Sequence, residues 1–208
     1  VCPTGGAKYR DFVQYVAANE MSASISFWKN HLAEVEPCYF PKLAEAEGTP
    51  ELKYVQVELG IPTSVLRDFC VSQSITISNL LQTVWALVCR VYVGRDDICF
   101  GYLASGRDAP VEDLVNMVGP TISVLICKAL LEDSTIIKDA LKACQEEFLD
   151  SLAHQHCSLA EIQHSLGLAG MPLFNTGISF QTMTDVDSDD VITNIDFEGL
   201  IVREPTEV

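Results

Sequence analysis

Hydrophobic residues recur along this chain with two periods, and each change of period marks a new element. Over residues 9–18 the stripe Phe12, Val13, Val16 has helical spacing, and Ile25, Trp28 and Leu32 repeat it over 21–33. Pro37 and Pro41 break the pattern into an irregular passage, and residues 44–50 are small, polar and acidic, as in a loop. Residues 53–59 alternate, Tyr54, Gln56 and Glu58 against Val55, Val57 and Leu59, which predicts a first strand. Pro62 opens a helix to about Ser72 with Val65, Leu66 and Phe69 inward. Thr76 or Ser78 caps the next helix. Its Leu80, Leu81, Val84, Trp85, Val88, Val91 and Tyr92 predict a wide buried face with Trp85 as core anchor, and Gly94 ends it.

Residues 98–103 are apolar on both alternating faces, the mark of a strand buried from both sides. A loop with one helical turn over 109–117 leads to a second, nearly all-apolar strand over 120–128. A helix over 134–152 presents Ile137, Leu141, Cys144, Phe148 and Leu152 on one face. Ser158 and Glu161 form a capping box for a short helix ending near Gly167. A strand over 173–181, an acidic loop at Asp185, Asp187, Asp189 and Asp190, and a strand over 192–202 complete the pattern. Helices interleaved with apolar strands predict an α/β fold, layered with a mixed sheet.

The central strand runs straight into Ser105-Gly106-Arg107-Asp108. A charge leaving a dry strand is delivered from a fixed platform, and an Arg there needs a carboxylate or several carbonyls. Two readings stay open: a local Arg107–Asp108 surface pair, or an Arg107 that reaches across a cleft to a group outside this chain.

Charge narrows the partners. The 208 residues carry 13 basic and 29 acidic side chains, a net charge of −16, which argues against nucleic acid and against an anionic membrane surface. There is no run of 18 apolar residues, and the start at Val1-Cys2-Pro3 has neither a signal-peptide pattern nor an initiator Met, so the chain reads as cut from something longer. The eight cysteines (2, 38, 70, 89, 99, 127, 144, 157) show no C-x-x-C pair and no metal-like spacing. Several fall on apolar faces, as buried reduced thiols of a cytoplasmic protein do.

The residues alone assemble no active site. Phosphate-binding Gly motifs are missing, and Ser105 is not in a G-x-S-x-G elbow. His154, His156 and Cys157 are sequence neighbours, which rarely converge as a dyad, so this stretch reads as a connector. His31 and His164 stand singly on helices as surface or packing residues.

Several ordered segments resemble the condensation domain of nonribosomal peptide synthetases, in the type found in filamentous fungi. Tyr9-Arg10-Asp11-Phe12 is similar to Y-x-D-[YF], and Phe27-Trp28 and Phe40-Pro41 follow in the family's order. Ser105-Gly106-Arg107-Asp108 resembles S-G-R-[DP]. The run from Val118 to Val124 resembles V-G-x-F-[VI]-N-T, with Thr121, Ser123 and Val124 in place of Phe, Asn and Thr. His154-Gln155-His156-Cys157-Ser158-Leu159 resembles H-Q-[DH]-x-[PS]-[FL]; Pro172-Leu173-Phe174-Asn175 with Phe180-Gln181 resembles P-L-F-[QN]…F-x-x-Q; and Glu204-Pro205-Thr206-Glu207 fits D-P-T-E.

The resemblance implies a layered sheet-and-helix lobe of a chloramphenicol-acetyltransferase-like fold. Residues 1–52 would be connecting helices and linker, and 53–208 part of the C-terminal lobe. It implies amide-bond formation between two carrier-bound thioesters. No cofactor or metal would be bound directly, because the substrates ride on the 4'-phosphopantetheine of carrier domains. Gly119, Thr121, Ser123, Asn175, Ser179 and Gln181 would line the tunnel. Arg107 and Asp108 would support catalysis, Arg107 by pairing with the Asp of H-H-x-x-x-D-G. That motif does not occur in these 208 residues, so the resemblance implies a fragment with no catalytic residue of its own and no activity alone. Its partners would be the N-terminal lobe, donor and acceptor carrier domains and an adjacent adenylation domain. An ester-forming carrier-dependent acyltransferase and a non-catalytic scaffold are the alternatives.

Overall fold

The computed structural model describes residues 8–19, 21–43, 54–168 and 170–181. In chain order these form α1 (Tyr9–Ala18), α2 (Met21–His31), α3 (Thr63–Gln73), α4 (Ile77–Val93), β1 (Asp97–Ala104), a 3₁₀ turn (Leu114–Asn116), β2 (Ser123–Leu130), α5 (Ile137–Leu152), α6 (Leu159–Ser165) and β3 (Gly177–Ile178). The expected strand over 192–202 and the acidic loop before it lie outside the described residues.

The ends of the helices follow from local chemistry. Thr76 caps α4, its hydroxyl accepting from Asn79 N at 3.1 Å, and Gly94 ends the helix at φ 74°. Ser158 and Glu161 close a capping box on α6. The helix expected from Ser134 begins three residues later, after a turn in which Thr135 N bonds Glu132 O.

The sheet is mixed, in the order β2-β1-β3. β1 and β2 pair antiparallel from Asp97↔Leu130 to Ala104↔Ser123. β3 pairs parallel to β1 through Gly101↔Gly177 and Tyr102↔Ile178 alone. That ladder is shorter than the strand expected over 173–181, because the preceding residues are engaged elsewhere: Phe174 bridges to Cys38, and Cys38 N donates to Leu173 O at 2.8 Å. Two glycines let β3 in. A Cβ on Gly177 would lie 2.8 Å from Gly101 O, and one on Gly101 would lie 2.7 Å from the Phe174 ring. β2 begins at Ser123, not Pro120, since Pro120 has no N–H for a ladder and Thr121 is turned toward Ser105.

Alternation along β1 sends Phe100, Tyr102 and Ala104 to the helical side, where Tyr102 meets Phe148 of α5. The main core joins these residues to Leu125, Cys127, Ala86, Cys89, Ala140, Cys144 and, from α2, Trp28 and Leu32. Trp28 is fully buried, and its indole N–H donates to His154 O at 3.2 Å. Trp85, expected as the anchor, is only partly buried against the core and stacks on Phe40.

Other expectations fail for packing reasons. On α3, Val65 and Phe69, expected inward, are exposed, and the buried residue is Cys70. The buried stripe of α4 is Asn79, Gln82, Thr83, Ala86 and Cys89, while Val84, Val91 and Tyr92 are exposed. Both stripes have helical spacing. The one pressed on β1 and α5 is the one with small side chains and a self-satisfied amide pair, Asn79 Nδ2 donating to Gln82 Oε1 at 3.2 Å. Residues 54–59 form no strand, and Val55 and Val57 are 83% and 73% exposed. Alternation makes two faces, but a strand also needs a ladder partner, and none lies beside them among the described residues.

Cys38, Cys70, Cys89, Cys99, Cys127, Cys144 and Cys157 are buried and free, as their apolar settings predict. Among the described residues no single helix is long and apolar enough to cross a membrane.

Trp28→Ala removes both the largest buried side chain and the bond to His154. It should lower unfolding free energy by about 3–5 kcal/mol in urea denaturation, whereas Val57→Ala should stay within about 0.5 kcal/mol.

Candidate functional site

Past Tyr102 the sheet opens. Leu103 of β1 and Val124, its partner on β2, face away from the helices and are 42% and 37% exposed. Two adjoining cavities lie there. One, of about 380 Å³, has Gly101, Leu103 and Val124 against residues 174–179. The second, of about 340 Å³, is bounded by residues 103–105, Arg107, residues 119–122 and residues 179–181. Leu103 and Ser179 belong to both.

The loop from Ser105 to Ile122 forms the wall of the second cavity and is built around Arg107. Gly106 sits at φ 65°, and a Cβ there would lie 2.0 Å from Thr121 O, so only glycine lets the two ends of the loop close. Thr121 Oγ1 donates to Ser105 O at 2.7 Å and seals the base. Inside, Arg107 Nη1 donates to the carbonyls of Leu114 and Met117, each at 2.8 Å, and of Val115 at 3.4 Å; Nη2 donates to Gly119 O at 3.3 Å. A guanidinium thus satisfies carbonyls that the short 3₁₀ turn leaves open. Asp108 points elsewhere, each of its oxygens accepting from Gln155 Nε2, at 3.1 and 3.0 Å. The local Arg107–Asp108 pair is therefore not formed.

Apolar contact fixes the loop from beneath. Ala109, Leu114 and Met117 are buried against Phe12 of α1. Tyr9 lies against Gly119, where a Cβ would meet its ring at 2.5 Å. Tyr9, singled out in sequence by resemblance, and Phe12, marked also by its helical stripe, thus pack on the Arg107 loop.

The structure brings together some expected tunnel residues and separates others. Gly119, Thr121, Ser179 and Gln181 converge with Arg107 on the second cavity. Thr121 is buried and its hydroxyl is already committed to Ser105 O. Asn175 lines the first cavity, but its amide grips the backbone of Phe40, accepting from its N at 2.7 Å and donating to its O at 3.0 Å. Ser123 lines neither. The expected tunnel lining leaves out Leu103, Ile122 and Phe180, which also border the second cavity; Ile122 and Phe180 stand inside the matched motifs and Leu103 ends the apolar strand, so the signal was there.

His154, His156 and Cys157 make no dyad. They form the turn between α5 and α6, and each His anchors it to a different helix. His154 Nδ1 and Ser24 Oγ of α2 are 3.1 Å apart, and the His156 ring meets Phe12 and Tyr15 of α1 edge-on. Burial pushes the Cys157 thiol up to about 11, away from the thiolate form a nucleophile needs. His31 pairs with Glu147 at 2.7 Å. Among the described residues no group of three or more His, Cys, Asp or Glu could hold a metal ion.

Residues 3–200 match the family described as Condensation domain. The chain is 39% identical over 185 residues to nonribosomal peptide synthetase atnA of Emericella nidulans, spanning 88% of this chain and 3% of that protein. It is 40% identical over 186 residues to malformin synthetase mlfA of Aspergillus brasiliensis, spanning 88% of this chain and 4% of that protein. In fold it is similar to the EpoB cyclization-docking bidomain of Sorangium cellulosum (TM-score 0.67, 17% identity, 82% of this chain and 37% of that one). It is similar also to the first condensation domain of the calcium-dependent antibiotic synthetase (TM-score 0.64, 16% identity, 84% and 41%).

Two outcomes follow from the site. Arg107→Ala strands several carbonyls and should cost about 2–4 kcal/mol, with Arg107→Lys recovering little because one ammonium cannot span four acceptors; Glu112→Ala, on the exposed side of the loop, should stay within about 0.5 kcal/mol by the same denaturation assay. The second concerns pH. Burial lowers the pKa of His156, against a smaller opposing pull from Asp108, and lowers that of His154. The unfolded imidazole binds a proton near pH 6.5 and the folded one only below that, so stability is full above about pH 6.5 and falls as pH drops toward the folded value. His156→Phe should flatten the acid side of a Tm-against-pH profile.

Proposed function

Because the chain belongs to the condensation-domain family of fungal nonribosomal peptide synthetases, we propose that it supplies the C-terminal-lobe wall of an amide-forming site. The observation that carries this reading is the convergence of Gly119, Thr121, Ser179, Gln181 and Arg107, drawn from three separate motifs, on one cavity at the open end of the sheet.

In the proposed reaction the amine of an acceptor aminoacyl thioester attacks the donor acyl thioester carbon. A C–N bond forms, the C–S bond breaks, and the proton lost by the amine ends on the departing phosphopantetheine thiol. Both acyl groups arrive on donor and acceptor carrier domains, the acceptor loaded by an adjacent adenylation domain. Such chemistry depends on holding amine and thioester together more than on a strong base. The apolar floor at Leu103 and Val124 suits the exclusion of water, which would hydrolyse the donor.

Arg107 has a second part in this proposal. Its Nη1 and one Nη2 proton go to carbonyls. Among the described residues Nε and the other Nη2 proton have no acceptor, and they form the guanidinium edge that takes a carboxylate in two parallel bonds. The Asp of H-H-x-x-x-D-G on the N-terminal lobe is the partner we propose for it, and the second His of that motif sits by the amine. This chain alone would then be inactive.

Loading donor and acceptor carriers and following the condensed product by mass spectrometry tests this. The full-length synthetase should give the amide and the isolated 208-residue chain none. Amide from the isolated chain would overturn the two-lobed site. Product from a hydroxyl acceptor in place of the amine would assign the ester-forming reaction instead.

A further inference from the structure

The Arg107 loop meets the helical layer by apolar contact beneath and by one polar link at its rim. Among the described residues that link is the pair of bonds from Gln155 Nε2 to the two oxygens of Asp108. All other hydrogen bonds made by the side chains of residues 105–122 stay inside the loop. Gln155 is itself held hard. It lies between His154, anchored on α2, and His156, anchored on α1, and only 4% of it is exposed. Among the described residues its Oε1 is buried with no partner. A side chain present only to fill space would be better apolar, since a stranded acceptor is unfavourable. The amide is retained with its donor end on the carboxylate, and a flipped amide would set oxygen against oxygen.

We propose that Gln155 is a positioning residue for Arg107. By holding Asp108 from the helical layer it fixes the loop that cages the guanidinium, and so aims the remaining donor edge of Arg107 into the cavity. Asp108 is the next residue in the chain, so freeing it lets the backbone at Arg107 rotate and the carboxylate swing toward the guanidinium, forming the local pair that the observed structure avoids. The inference rests on the condensation reading for its effect on rate, but its effect on the loop stands without it.

The experiment uses the full-length synthetase. Gln155→Leu keeps the side chain's bulk and removes the stranded acceptor, so Tm should hold. Amide hydrogen exchange over residues 106–119 should nevertheless quicken while α4 and α5 stay protected. The rate of amide formation at saturating carriers should fall between about tenfold and a hundredfold, the range a displacement near 1 Å produces, with KM for the carriers little changed. Asp108→Ala, at an exposed position that does not threaten folding, should do the same, and the two changes together should be no worse than either. Gln155→Glu sets two carboxylates against each other and should be slow, and Asp108→Asn added to it should restore both protection and rate by reversing the direction of the bond. Unchanged exchange and rate in Gln155→Leu and Asp108→Ala, or no rescue by the reversed pair, would overturn the proposal. Quickened exchange in an enzyme whose wild type makes no amide would uphold Gln155 as the loop's anchor and sink the condensation reading alone.

Discussion

The guanidinium of Arg107 replaces a ladder. The loop between β1 and β2 runs for eighteen residues with a single 3₁₀ turn, and its carbonyls at Leu114, Val115, Met117 and Gly119 all point inward to one side chain. A loop of that length with no structure of its own would be a poor wall for a cavity. Filled by a planar cation with fixed donor directions, it is rigid where the residues at its ends, Ser105 and Thr121, border the cavity. Gly106 is the condition for this, because any Cβ would hold the two ends apart.

That dependence spreads outward through α1 and the turn between α5 and α6. Tyr9 and Phe12 support the loop from below, Phe12 and Tyr15 grip His156, His154 grips α2, and Gln155 returns to Asp108. Residues far apart in sequence thus form one contiguous assembly with α1. Their spacing in sequence gives no hint of this, yet all but Tyr15 belong to a short motif: Y-R-D-F, S-G-R-D or H-Q-H-C.

The sheet itself contributes by parting. β1 is held on both sides only as far as Tyr102, where the Gly101–Gly177 approach brings β3 in for two residues and no more. The 173–175 segment is spent on residues 38–40, through Cys38 N and the Asn175 amide. Leu103 is therefore the exposed residue of β1, and the two cavities meet there. Asn175, expected to line a tunnel, borders the first cavity and with its bonds to Phe40 also fixes where the strand leaves the sheet.

What the sequence determined alone was whatever depends on near neighbours. The capping box at Ser158 and Glu161, the Thr76 and Gly94 limits of α4, the doubly apolar β1 and the delivery of Arg107 from its end rest on interactions within a few residues, or on a period that burial makes readable. Only the tertiary structure decided which of two well-spaced stripes on α4 is buried, since close packing on β1 favoured Ala86 and Cys89 over Val84 and Val91. It decided also that Trp28 rather than Trp85 fills the core, and that residues 54–59, for all their alternation, have no ladder partner among the described residues. Arg107 shows the division most plainly. Its need for a carboxylate or several carbonyls could be read from where it stands, but that the carbonyls of its own loop fill part of that need, and that Asp108 turns away to Gln155, depends on groups brought together from across the fold.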